Sequence, residues 1–143
     1  MPDFDELGRM LCQQQSAQRA YAMAGVRDPR KELDFIETHD LLSGVELISY
    51  AELGLCEPGQ GGRLIDEGYT EKTGPVPVNP SGGMMGCGHV AGCSGISRVG
   101  EIVQQLRGQA GGTQVPIHEG RAIFSAIGGP GISQSCTIVL GRS

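Results

Sequence analysis

Gly86-Cys-Gly-His-Val-Ala-Gly-Cys-Ser-Gly95 places one imidazole, His89, in a loop where every second or third residue is glycine. Glycine opens backbone angles closed to other residues and lets main-chain N–H groups approach a ligand. Such a loop builds a poor core but holds a reactive side chain well. Just upstream, Asn79-Pro-Ser-Gly-Gly83 reads as a shaped turn feeding the same place, and Gly128-Gly-Pro-Gly131 closes an apolar run near the C-terminus. Two glycine loops and a histidine predict a site.

Around that loop the hydrophobic periodicity predicts an α/β order. Phe4, Leu7, Leu11, Ala17, Tyr21 and Ala24 recur at helical spacing and predict a helix over about 5–24, stopped by Gly25. Residues 33–38 read as a strand covered on both faces. Ser43 and Glu46 have the spacing of a reciprocal capping box, which would open a helix ending near Gly54. A helical turn is expected over 62–67, then an extended segment over 74–83. Ile96, Val99, Ile102, Val103 and Leu106 predict an amphipathic helix ending near Gly108. A linker-like stretch over 109–120 follows, then two strands over 121–127 and 133–140. The pattern is one layered α/β domain over 1–143 with a mixed sheet.

Composition excludes several classes. The chain has 143 residues, 19% charged and 38% apolar, and 24 glycines. This is neither a typical disordered composition nor that of a membrane span, since no apolar run nears the ~20 residues a spanning helix needs. Net charge is −5, and no basic cluster exceeds Arg30-Lys31, so the footprint of a nucleic-acid binder is missing. The five cysteines are irregularly spaced and the acidic N-terminus lacks signal-peptide character, which predicts reduced thiols and a cytoplasmic protein.

His89 is the leading catalytic candidate because imidazole titrates near neutrality and can take a proton from a thiol or a carbon acid. A loop histidine bonded to the backbone is the competing reading. His39-Asp40 ends the first predicted strand, where α/β folds usually handle ligands, although Asp40 could equally serve as an auxiliary helix cap. Cys87, His89 and Cys93 do not have the paired Cys-x-x-Cys spacing of zinc sites, so no metal is expected. A thiol–imidazole pair in the loop and two inert thiols both fit Cys87 and Cys93. Gly128 and Gly129 could offer amides to an oxyanion or form a plain turn.

Val78-Asn-Pro-Ser-Gly-Gly83 followed by Gly86–Gly95 resembles the histidine block of the thiolase superfamily, G-H-P-x-G-x-[ST]-G. The resemblance is to the sterol-carrier-protein thiolase and lipid-transfer-type acetyl-CoA acetyltransferase branch. Phe35-Ile-Glu-Thr-His-Asp40, Tyr50-Ala-Glu-Leu-Gly-Leu-Cys56, Gln105-Leu-Arg-Gly108 and Ile127-Gly-Gly-Pro-Gly131 extend it across nearly the whole chain in order. It implies a thiolase-like C-terminal half: a mixed five-stranded sheet layered with helices, here lacking its first strand or strands. It further implies a CoA thioester as substrate with no separate cofactor, and a cysteine nucleophile on an N-terminal thiolase half or companion subunit. Dimerisation and no activity of this chain alone are also implied. His89 would activate that nucleophile, Gly128 would supply oxyanion-hole backbone, and His39 and Asp40 would line the cavity. The branch has cysteine and phenylalanine where this chain has Leu41 and Leu42. Other thiolases place an acid/base cysteine near Ser125-Ala126, and the proline after the histidine is Val90. Leu41 cannot carry a proton; Cys87 or Cys93 are the substitute thiols to consider. The same resemblance leaves two alternatives: a retro-aldolase subunit acting on a 3-hydroxyacyl-CoA beside a zinc-ribbon/OB-fold partner, and a non-catalytic chain.

Overall fold

A computed structural model describes residues 8–130 and 133–142. Three strands form a mixed sheet in the order β1-β2-β3: β1 (Phe35–Thr38), β2 (Arg121–Gly128) and β3 (Gln134–Gly141). β1 runs parallel to β2, with Phe35 opposite Ala122, and β2 runs antiparallel to β3, with Arg121 opposite Gly141. A single parallel bridge between Ile36 and Val78 prolongs the sheet beyond β1. The mixed α/β layering is as expected. Among the described residues the sheet has three strands, against the five of the complete fold the resemblance implies.

The alternation of side chains along β1 separates two cores. Ile36 faces the helices α1 (Leu11–Ala24), α3 (Ser43–Glu52) and α4 (Gly61–Asp66), and packs among Ala17, Tyr50, Leu53, Leu64 and Ile123. Phe35 faces the opposite way, into a smaller cluster with Met84, Ile102, Leu106 and Phe124, covered by α6 (Ser94–Leu106). Two further short helices, α2 (Pro29–Glu32) and α5 (Gly83–Cys87), lie in the connections.

Several local expectations are corrected. Helix α1 begins at Leu11, not near residue 5; Gly8–Met10 are not helical, and Asp5, Glu6 and Leu7 lie outside the described residues. Its buried positions are Gln13 and Ala17, while Leu11 is exposed, because the helix meets the sheet through a polar contact as well as an apolar one. The Ser43–Glu46 capping box does not form. Leu42 occupies the cap position without a side-chain bond, and Glu46 instead accepts the Tyr50 hydroxyl at 2.9 Å, one turn along. Glu52, near the end of α3, is buried because the Arg9 guanidinium (2.6 Å) and the Met10 amide (3.2 Å) partner its carboxylate.

On α6, Ile96 is 76% exposed despite its place in the apolar pattern, whereas Ser94, Arg98 and Gln105 are buried. The 109–120 stretch is tied down rather than loose. Gln105 donates to the Thr113 carbonyl and accepts the Val115 amide, and Asp34 accepts the amides of His118, Glu119 and Arg121. No helix among the described residues is long and apolar enough to cross a membrane.

Candidate active site

Because β1 and β2 are parallel, their carboxyl ends lie at one edge of the sheet, and the N-terminus of α6 reaches the same edge. His39 follows β1 directly and is held by its amide, which donates to the Ser125 carbonyl at 3.0 Å. His89 sits in the loop before α6. The two rings meet edge to face, with centroids 5.0 Å apart. They line a pocket of about 290 Å³ together with Met84, Phe124, Ala126 and Gly128. The structure therefore brings together His39, His89 and Gly128, three of the residues singled out from sequence.

Ser94, the first residue of α6, fixes His89. Its Oγ lies 3.1 Å from Nδ1 of His89, accepts the Val90 amide at 2.8 Å and lies 3.0 Å from the Val90 carbonyl oxygen. A hydroxyl has one proton and two lone pairs. All three contacts are satisfied together in the arrangement where the hydroxyl donates to the Val90 carbonyl, which also accepts the Cys93 and Ser94 amides, and Nδ1 of His89 donates to Oγ. Nε2 is then left with its lone pair free, the state required of a base. The glycines around this loop let the backbone fold back onto Ser94: Gly88 and Gly92 both adopt positive φ. His39 is half-buried, and burial, with the neighbouring His89 ring adding to it, lowers its pKa below the ordinary imidazole value. His39 is thus biased toward the neutral form.

Asp40 is placed differently from the two histidines. Its buried carboxylate accepts the amides of Met84 (2.6 Å) and Met85 (3.3 Å). It caps α5, a helix where the sequence reads as an extended turn and loop. Gly83 makes this possible: at φ +60° it approaches the carboxylate so closely that an added Cβ would lie 2.0 Å from Asp40 Oδ2. Cys87 and Cys93 are exposed and do not line the pocket; Cys87 Sγ donates to the Ser81 carbonyl at 3.4 Å. Leu41 and Leu42 are also exposed, outside the pocket lining. Ser125 turns to the α1 face, where its hydroxyl meets Gln13 Nε2 at 3.1 Å and Thr137 Oγ1 at 3.0 Å. Only Ala126 of that pair lines the pocket. Among the described residues no group of three or more His, Cys, Asp or Glu side chains could hold a metal ion.

Sequence reasoning passed over two buried residues, Glu37 on β1 and Arg98 on α6, and gave Ser81, half-buried in the 79–83 turn, no partner. Ser81 Oγ donates to Glu37 at 3.0 Å, its amide lies 3.4 Å from the same carboxylate, and Arg98 bonds Ser81 Oγ and lies 3.7 Å from Glu37. Burial is the main cause of a Glu37 pKa raised to about 7, opposed by the Ser81 hydrogen bond and the Arg98 charge. An isolated Glu in a strand and an Arg in a helix carry no signal of partnership in sequence.

With this geometry in view, comparison with known proteins defines the class. The family described as "Thiolase C-terminal domain-like" matches residues 3–142, and the chain belongs to that family. Over 102 residues it is 43% identical to "Sterol carrier protein 2" of Oryctolagus cuniculus, covering 71% of this chain and 18% of the relative. Over 100 residues it is 41% identical to "Acetyl-CoA acetyltransferase" of Methanothermobacter thermautotrophicus, covering 70% of this chain and 26% of the relative. A solved structure titled "Ltp2-ChsH2(DUF35) aldolase" is similar with a TM-score of 0.75 and 26% identity, over 91% of this chain and 31% of that one. The match therefore spans about a fifth to a third of these proteins' lengths.

Proposed function

We propose that this domain supplies the activating histidine and oxyanion-hole backbone of a thiolase-like acyl-CoA C-acyltransferase, acting on an acyl group carried by a cysteine on a separate or additional N-terminal half. The observation that carries this reading is the His89 ring. It is fixed through Nδ1 by Ser94 and stands beside His39 in a pocket that Gly128 closes. Nε2 would take the proton of the attacking thiol, and the amide at Gly128 would face the thioester oxygen as charge develops there. Asp40 acts indirectly, by seating α5 and Met84 against the pocket. Relatives named as sterol carrier protein and acetyl-CoA acetyltransferase support an acyl-thioester substrate. The family resemblance supports a dimer of completed enzymes.

The test is reconstitution. This chain is mixed with an N-terminal thiolase half bearing a reactive cysteine, and acetyl-CoA formation from acetoacetyl-CoA and CoA is followed. Formation that requires both chains supports the proposal; a mixture that assembles but forms none overturns it.

A second reading is favoured by two observations, the likeness to the aldolase structure and the leucine at position 41. Here the same fold would cleave a 3-hydroxyacyl-CoA by retro-aldol chemistry, beside a companion subunit of the DUF35 kind named in that title. Release of an aldehyde or ketone from such a substrate, without thiolysis, selects it.

A further inference from the structure

We propose that the Glu37–Ser81–Arg98 cluster is a positioning element for the His89–His39 pair, with Arg98 the residue through which α6 is locked against β1. The proposal rests on reading His89 as the reactive group, but it concerns how that ring is held.

Glu37 and His39 are two residues apart on β1 and its continuation, so both project to the α6 face, one pleat repeat apart. Ser94 and Arg98 are four apart on α6 and share one face of that helix. The two pairs therefore oppose one another across the same layer: Ser94 holds His89 at the rim, and one turn deeper Arg98 holds Ser81 and Glu37. Ser81 completes the connection. Its backbone leads through Gly82 and Gly83 to the Met84 and Met85 amides on Asp40, the residue next to His39. Three segments that carry the pocket, namely β1, the 79–84 turn and α6, thus converge on one hydroxyl.

Energetics point the same way. Glu37 is fully buried and Arg98 is 8% exposed, and Nε of Arg98 has no partner among the described residues. Burying a carboxyl and a guanidinium together costs more than packing apolar side chains of similar size, so such a pair is a poor source of stability. Its directional bonds do what Leu or Met could not: they set the axial position and rotation of α6 relative to β1. Because the His89 loop is bonded to the start of α6, a shift of the helix carries that loop with it, parts the His89 ring from His39 and leaves it free to turn off Ser94 Oγ.

The experiment reads the ring itself. The isolated chain, labelled with ¹⁵N-histidine, is examined by two-bond proton–nitrogen correlation spectra at a pH where His89 is neutral. The wild-type chain is expected to show His89 protonated at Nδ1. Arg98→Met should shift His89 toward the Nε2-protonated form that free imidazole side chains favour, while Arg98→Lys should restore the Nδ1 proton. A cluster with a merely structural role would lower the melting temperature of both variants and leave the tautomer unchanged. A folded Arg98→Met chain with an unaltered His89 signal overturns the proposal. If Arg98→Met does not fold, Ser81→Ala decides, because it removes the shared hydroxyl and leaves both charges: loss of the Nδ1 proton supports the proposal, and an unaltered signal overturns it. This readout needs no turnover. Failure of reconstituted acyl transfer would leave the positioning result standing, and the converse also holds.

Discussion

The two faces of the sheet are built on opposite principles. Toward α1, α3 and α4 the sheet is sealed by an aliphatic core in which Ile36, Leu53 and Ile123 are fully buried. Toward α5 and α6 the apolar cluster is smaller, a carboxylate and a guanidinium are buried within the layer, and one edge opens into the histidine pocket. The first face supplies stability; the second gives some of it up to hold side chains in fixed directions. The first face has polar residues too: Gln13 donates to Thr38 and Ser125 across three elements, and its Oε1 has no partner among the described residues. On the second face the buried polar groups include a carboxyl and a guanidinium close to the pocket.

Substitutions on the two faces should separate cleanly. Leu53→Ala removes a fully buried side chain and is expected to cost ~2–5 kcal/mol in chemical denaturation. Val90→Ala, 62% exposed beside the pocket, should stay within ~0.5 kcal/mol. Equal costs would contradict the division.

The second effect in size is pH-dependent and belongs to the α6 face. Glu37 titrates near 7 when folded against an ordinary value of 4.5, so the folded chain holds this proton more tightly than the unfolded one. Its contribution to stability is fully present below the ordinary carboxylate value and is lost as pH rises through about 7, a change on the order of 3 kcal/mol. Glu37→Gln has no such proton to hold. The stability of wild type relative to the variant should therefore grow as pH falls from about 8 to about 5. His39 slopes the other way: its lowered pKa makes its contribution present above the ordinary imidazole value and lost as pH falls below it. A flat difference between wild type and Glu37→Gln would show that the carboxylate is not held as described.

Gly83→Ala should cost ~1–3 kcal/mol, since a left-handed backbone conformation and a clash with the Asp40 carboxylate arise together. Loss of α5 amide protection in hydrogen exchange would locate the damage. The smallest effect is predicted for Cys87→Ala and Cys93→Ala, both exposed outside the pocket: unchanged reconstituted activity and stability within ~0.5 kcal/mol. A large loss of activity would move one of these thiols into the chemistry.

Part of the sealed face was legible in the sequence: β1 buries all four of its residues, as a strand covered on both faces should, whereas α3 buries Ser49, Tyr50 and Glu52 rather than its apolar Val45 and Ile48. The open face was legible where chemistry is concentrated in one motif. The glycines around His89 marked the loop, and the [ST] position of the family block is Ser94, its anchor. What could not be read was long-range polar pairing. Glu37 and Arg98 look individually like solvated positions, and Ser81 stood in a turn whose shape, not its hydroxyl, was legible. Asp40 could be read as a cap, but its helix, α5, is five residues of glycine, methionine and cysteine without periodicity. Ser125 could be placed on its strand, but which face its hydroxyl meets depends on Gln13 in a different helix.

The most direct test of the account compares single-residue variants in the reconstituted acyl-transfer assay. His89→Ala is expected to lower kcat/KM by about a hundredfold or more, with assembly and melting temperature preserved. A His89→Ala enzyme that keeps wild-type activity would contradict the central role given to that imidazole.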